Sequence, residues 1–493
     1  MQEKFKKNLL FYSFLFLILA TAFWVRIYGI DKLLGFYYDQ GRDALVIWDL
    51  IHNHKLFLIG PTTGLAGIFR GPYYYYLIAP FYFLGRGNPL YPEIFLILTT
   101  VGATGLLYVL ASKIYGKPAG IIGVILASFS LYIVLASRWL SNPTPMLLLS
   151  MILVWGMFKI TEGFKWGWPV IATAFGLSLF SFGSSGEFFY LPALIIFFLW
   201  QRKNWPDKKS AILSILLFGL TVAPLILFDL KHGGILRGNV FNSFVGQKSF
   251  AIPTQSLIQN RTTFLYDNFT KVIFNYRGPQ ELAALLIIAV WFVIFLVKYV
   301  KNSKILILLL LLAAPIIGLY FYRGNDGVLY DYYMTGYWLI FILLISVVLG
   351  HVWKFPAGKV FVLFFLYLFL TNNYSFLKNK LAIKTDGPES IVLINQKQAI
   401  NWIYEDSKGR DFNVDVYVPP VIPYAYDYLF KWKSNSHLVE NQVSLLYTLY
   451  EVDPAHPERL DAWLARQKGI GRVLDQSRFG GIVVQERERL KIK

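Results

Sequence analysis

The chain has 493 residues, 56% of them hydrophobic and 18% aromatic, at a mean hydropathy of +0.49. Apolar stretches near the roughly 20 residues needed to cross a bilayer recur along it, which excludes a soluble globular protein. The net charge of +18 is dispersed among those stretches instead of gathered on one face, which argues against a nucleic-acid partner. With no cysteine, disulfides and thiol chemistry are excluded.

In chain order the apolar stretches predict about 11 spans: 9–27, 91–112, 119–137, 146–160, 168–182, 187–200, 210–228, 281–298, 304–322, 335–352 and 358–372. The first is followed by no small-residue cleavage site and is expected to stay as a span. Lys4, Lys6 and Lys7 precede it. Every second short connection then carries basic residues: Lys113 and Lys117, Lys159 and Lys165, Arg202 to Lys209, Lys298 to Lys304, Lys354 and Lys359. The intervening ones hold only Arg138 and Arg323. The positive-inside rule then predicts a cytoplasmic N-terminus, with the 28–90 loop, the 229–280 loop and the C-terminal part extracytoplasmic. Attraction to anionic headgroups covers most of the excess charge. The basic residues on the outer side (Arg42, Lys55, Arg70, Lys231, Arg237) call for an anionic substrate at the lipid surface.

Residues 72–90 are tyrosine-rich, short and broken by proline, and predict an interfacial helix in the first loop. The membrane part is expected to end at 372. From 373 the composition turns charged, with 17 Lys/Arg against 15 Asp/Glu, so +16 of the +18 lies before it. Periodicity in 373–493 predicts a helix after Ser390, strands over 413–418 and 445–452, a helix over 457–467, and a last strand after Gly480-Gly481. That makes a small α/β domain, read as a cap or acceptor platform.

Chemistry concentrates in Asp39-Gln40-Gly41-Arg42-Asp43, just past the first span. Asp39 and Asp43, four apart, share one face of a helix, and Arg42 can hold both. The plainer alternative is a solvated interfacial helix with a weak surface ion pair.

Tyr37-Tyr38-Asp39-Gln40-Gly41-Arg42-Asp43-Ala44 resembles the Asp-Glu-x-Arg-Tyr-Ala signature of polyprenyl-phosphate-dependent glycosyltransferases of the GT-C fold, such as protein O-mannosyltransferases and the lipid A aminoarabinose transferase. The similarity continues through Gly71 to Tyr76, and more loosely through Pro224 to His232 and Tyr330 to Met334. The resemblance implies a mainly α, multi-pass transmembrane bundle of the GT-C type in a bacterial plasma (inner) membrane. It further implies transfer of a sugar, with inversion, from a polyprenyl-phosphate donor to a glycan, lipid or protein acceptor on the outer face. It casts Asp39 as base with Asp43 as helper or structural partner, and Arg42, Arg70 and Arg138 as phosphate contacts. Tyr73, Tyr74, Glu187, Lys231, His232, Tyr332 and Tyr333 are candidate cavity residues; for Glu187 the start of a helix, and for Asp229, Lys231 and His232 the end of one, is the competing and favoured reading. Three departures stand out: Gln40 replaces the second acid, Gly71 replaces a lysine, and Asn142 is neutral where the second loop is often acidic. No cofactor is firmly implied, and a divalent metal is disfavoured by Asn142. A transporter or lipid flippase, or an inactive relative, are the rival readings; charges at span ends and the lack of symmetric halves speak against transport.

Overall fold

The computed structural model describes residues 2–63, 67–242, 255–322, 328–382, 385–419, 422–434 and 436–490. Arg323 and part of the 229–280 loop lie outside them.

Helix α1 (Gln2–Ile27) ends at Gly29, whose φ of +60° is a backbone that side chains rarely adopt; a short α2 (Ile30–Leu33) follows. The first loop carries α3 (Tyr38–His52) and α4 (Tyr73–Leu84). The latter is the expected tyrosine-rich helix; it buries Tyr74, Tyr75, Ile78 and Tyr82 and packs on α3 and α5 (Leu90–Tyr115). Next come α6 (Lys117–Phe129), α7 (Leu131–Ser137), α8 (Met146–Thr161), α9 (Gly167–Leu177), α10 (Tyr190–Trp200), α11 (Lys208–Lys231), α12 (Ile235–Phe241) and α13 (Gln255–Ile273). The bundle closes with α14 (Pro279–Tyr299), α15 (Ser303–Phe321), α16 (Thr335–Val352) and α17 (Pro356–Leu381). Helices α14 and α17 begin with proline at the first turn, where its missing N–H costs nothing.

Among the described residues, seven helices are long and apolar enough to cross a membrane. A bent pair, α6 and α7, adds an eighth crossing if it is one span, and 146–161, 167–182 and 185–200 are shorter apolar helices. Each of the eleven expected segments falls on one of these. Helix α16 is the centre of the bundle, 89% buried over its apolar window. Helix α17 runs to Leu381, past the expected end at 372.

The bend of 62° between α6 and α7 has a visible cause. Ser130 caps α7 by accepting from the Ile133 N–H, and Asn373 accepts from the Leu131 N–H. The freed carbonyls of Ala127 and Ser128 each accept from the buried Arg26 guanidinium at 2.9 Å. Backbone polar groups deprived of helix partners need this in an apolar surround.

After α17 come α18 (Leu393–Ser407), β1 (Asn413–Tyr417), α19 (Tyr424–Lys433), β2 (Leu445–Glu451), α20 (Pro457–Ile470), β3 (Gly471–Phe479) and β4 (Ile482–Arg489). The sheet order is β1-β2-β4-β3, with β1 parallel to β2 and the other pairs antiparallel. The expected helices and strands are all present. Helix α19 and strand β3 are additional, for reasons of packing taken up below.

This α/β layer is seated on α3. A Cβ built on Gly41 would stand 2.3 Å from the backbone nitrogen of Ala425 in α19, so only glycine permits the approach. The Gln396 amide donates to the Phe36 carbonyl at 2.8 Å, and the Leu393 N–H to that of Leu34 at 3.0 Å. Gly41→Leu is therefore expected to lower the melting temperature of the purified protein and to expose the α/β layer to limited proteolysis. Overpacking of this kind costs roughly 1–3 kcal/mol or more. An unchanged melting profile and digestion pattern would refute the contact.

Candidate active site

A cavity of about 810 Å³ opens where α3, the first loop, the turn after α7 and the α11–α12 corner meet. One end is charged, with Asp39, Arg42, Asp43 and Arg70. The other is apolar, walled by Val222, Leu225, Ile226, Val240 and Phe241.

The charged end is built by Arg42. Its guanidinium reaches Asp39 at 2.8 Å, holds the Asp43 carboxylate through two N–H groups at 2.8 and 2.9 Å, and donates to Thr62 at 3.0 Å. The two acids differ in access. Asp43 is buried and also accepts from the Tyr75 hydroxyl at 3.0 Å, whereas the Asp39 side chain is 60% exposed. Burial pushes the Asp43 carboxyl up to about 6, against the pull of Arg42. The folded state thus holds this proton more tightly than the unfolded chain. Its contribution to stability declines as pH rises between about 4 and about 6 and is constant above. Below about 6 a protonated Asp43 no longer balances the Arg42 charge. Any activity of this site is expected to fall as pH drops through about 6, and a pH–rate profile of Asp43→Asn should lack that limb. An identical limb in the variant would assign it elsewhere.

Arg70 is positioned by an unusual turn. Helix α9 runs into a wide π-helical turn, Ser178–Phe182, of a kind frequent at functional sites. Its carbonyls serve the cavity: Leu179 accepts from Arg70 at 3.4 Å, Phe180 from the Gly71 N–H at 2.6 Å, and Phe182 from Asn142 at 3.2 Å. No carboxylate lies within ion-pair distance of Arg70 among the described residues, and burial pulls its guanidinium below the usual arginine range. Glu187 acts on it only from beyond that distance, so a half-desolvated cation with no carboxylate in contact favours an incoming anion.

The three departures find physical reasons here. Gln40 points away from the cavity, accepting from the Tyr37 N–H at 3.1 Å and donating to the Leu140 carbonyl at 3.2 Å; a carboxylate could not donate that second bond. A Cβ on Gly71 would lie 2.7 Å from the Ser181 hydroxyl, which leaves no room for a lysine without a shift. Asn142 lines the cavity but its amide is spent on Phe182.

Of the expected cavity residues, Tyr332 and Tyr333 line it and the others do not. Arg138 instead caps α1, donating to the carbonyls of Arg26 and Tyr28 at 2.9 Å. Tyr73 donates to the Leu220 carbonyl, and Tyr74 is wholly buried behind α3. Glu187 is also fully buried. It accepts from the Ser184 backbone and hydroxyl at 2.6 and 2.8 Å and from the Gly336 N–H at 3.2 Å, so it pins the start of α16. Lys231 and His232 sit exposed at the end of α11, the ring of His232 against Phe228. Asp229, for which the end of a helix is the competing reading, and Arg237, one of the outer basic residues, also line the cavity. Asp229 accepts from the Leu236 and Arg237 N–H groups at 2.8 and 3.1 Å, starting α12, and this turns Arg237 to the cavity. Among the described residues no three His, Asp or Glu stand together as metal ligands, and both acids of the cavity's charged end are already bound to Arg42.

The family model for dolichyl-phosphate-mannose-protein mannosyltransferases matches residues 69–228. No curated protein matches by sequence. Among solved structures, ArnT from Cupriavidus metallidurans, bound to undecaprenyl phosphate and in the apo state, superposes with a TM-score of 0.63 at 11% identity; 96% of this chain and 98% of that one are covered. The Archaeoglobus fulgidus oligosaccharyltransferase, solved with Zn and sulfate, gives 0.52 at 12% identity over 92% of this chain and 71% of that one. A third structure, the same archaeal enzyme with an inhibitory peptide and a dolichol-phosphate, gives 0.52 at 10% identity. The protein is thus a multi-helix membrane protein of the GT-C fold. Its arrangement follows ArnT over nearly the full length of both chains.

Proposed function

We propose that the protein is a glycosyltransferase that moves a sugar from a polyprenyl-phosphate carrier to an acceptor hydroxyl. The observation carrying this is the one cavity that joins an exposed carboxylate, Asp39, and an arginine without a carboxylate partner, Arg70, to an apolar groove along α11 and α12. A polyprenyl phosphate has the same two ends. The family match over 69–228 and the undecaprenyl phosphate in ArnT support the reading.

In this reading the acceptor oxygen attacks the anomeric carbon while Asp39 takes its proton. The bond from that carbon to the phosphate oxygen breaks, and the electron pair leaves with the polyprenyl phosphate, whose charge Arg70 and Arg237 balance. Asp43 and Thr62 hold Arg42, and Arg42 in turn fixes Asp39. A single displacement inverts the anomeric centre. In this reading the site and the α/β layer face outward from a bacterial plasma membrane, with the N-terminus in the cytoplasm; the distribution of Lys and Arg supports the orientation and the resemblance supports the membrane. Arg26 and Glu93, fully buried in apolar helices, do not line the cavity, so they give the transport reading no support. The test is release of free polyprenyl phosphate from a panel of polyprenyl-phosphate sugars by the protein in nanodiscs. Release from one donor in the presence of acceptor is expected; no release from any donor by folded protein would refute the assignment.

A further inference from the structure

A second pocket, of about 510 Å³, lies beside the cavity and shares Trp139 and Tyr332 with it as lining residues. Its walls are aromatic. Tyr330 and Tyr332 stack at 5.4 Å with 11° between their planes, Trp139 meets Tyr332 at 5.7 Å, and Tyr132 meets Trp338 edge-on at 4.8 Å. Tyr330 is 46% exposed. Asp331 supplies an exposed carboxylate, held in place by the Asn268 amide at 3.1 Å, with acceptor capacity to spare.

Among the described residues no lysine or arginine lines this pocket, in contrast to Arg42, Arg70 and Arg237 next door. The described lining thus offers an anion no cation, and Asp331 repels one. An alkyl chain would desolvate the Asp331 carboxylate without adding a donor, at a cost. The lining elements, α7, α16 and the turn Asp331–Met334, offer no strand edge to a peptide backbone. A neutral sugar ring fits both features, with an apolar C–H face for an aromatic plane and hydroxyl donors for a carboxylate.

We infer that this pocket binds a terminal sugar of the acceptor, which makes the acceptor a glycan. The inference rests on the transfer reading above, and the shared wall gives it a place in that reaction: Tyr332 lines both spaces and lies within electrostatic reach of Asp39. Trp139 and Tyr332 form the wall between this pocket and the cavity that Asp39 lines.

The test is saturation-transfer NMR on the full chain in nanodiscs. The probes are methyl glycosides of hexoses and of N-acetylhexosamines and a serine-containing peptide, with polyprenyl phosphate binding measured on the same sample. At least one glycoside is expected to give a signal that falls fivefold or more in both Tyr330→Ala and Asp331→Asn, each with a wild-type melting profile. Binding of polyprenyl phosphate but of no glycoside would overturn the inference and leave the transfer reading standing. Binding of the peptide alone, or of a glycoside equally well by both variants, would overturn it too. Variant-sensitive glycoside binding without polyprenyl phosphate binding would overturn the acceptor role through failure of the transfer reading itself.

Discussion

Asp39→Asn is expected to cut the release of polyprenyl phosphate by roughly 10²- to 10⁴-fold, the range a positioned general base contributes. The argument is one of access. Asp43 is nearer the core of the charge cluster, but it is buried and receives two arginine N–H groups and a tyrosine hydroxyl. Its side chain is only 7% exposed, which leaves it little access to an acceptor. Asp39 shares the same arginine with its side chain 60% exposed in the cavity. Asparagine keeps the shape and cannot take the proton. Arg42 retains Asp43 and Thr62 in the variant, so fold and donor affinity should hold while kcat falls. Turnover near wild type would remove Asp39 as base.

Arg70→Ala should act on the other term, raising the apparent donor KM or Kd roughly 10- to 100-fold, as loss of a charge-assisted hydrogen bond worth about 1.5–3 kcal/mol implies. The nearest alternative cations differ in kind. Arg42 is committed to two carboxylates, and Arg237, 76% exposed on its side chain, stands 3.8 Å from Asp229. Arg70 alone of the three is half-buried and lacks a carboxylate partner among the described residues. Arg70→Lys should recover part of the loss, since lysine restores charge without the two-pronged geometry. Equal donor affinity in wild type and Arg70→Ala would take Arg70 out of the site.

The sequence reading reached the bundle because apolar run length is a direct signal; each of the eleven expected segments falls on a helix. Asp39, Arg42, Asp43 and Arg70 stood out because charges are rare in such a chain, and all four line the cavity. For Arg138 and Glu187 the cavity reading gives way to a structural one, which for Glu187 is the competing helix N-terminus. A charge at a helix end serves a carbonyl or N–H group as readily as a ligand, and only three-dimensional neighbours decide. Arg138 found the end of α1, 110 residues away in sequence from Tyr28. Helix α19 escaped notice because over 424–432 its polar face is marked only by Asp427 and Lys431, in a run otherwise of Tyr, Ala, Leu, Phe and Trp, and its other faces are buried between α3 and the rest of its layer. Strand β3 is exposed over most of its length and lacks the alternation of a half-buried strand. The π turn at Ser178–Phe182 leaves no sequence mark at all, yet it sets Arg70, Gly71 and Asn142 together.

The central claim is that the cavity between α3 and α11 holds a polyprenyl phosphate with its head at Arg70. A cryo-EM structure of the protein in nanodiscs with added polyprenyl phosphate tests it most directly. The account predicts phosphate density within about 4 Å of the Arg70 guanidinium, the reach of an ion pair, and isoprenoid density along Val222, Ile226 and Phe241. A lipid phosphate bound elsewhere, with this cavity filled only by solvent, would contradict it.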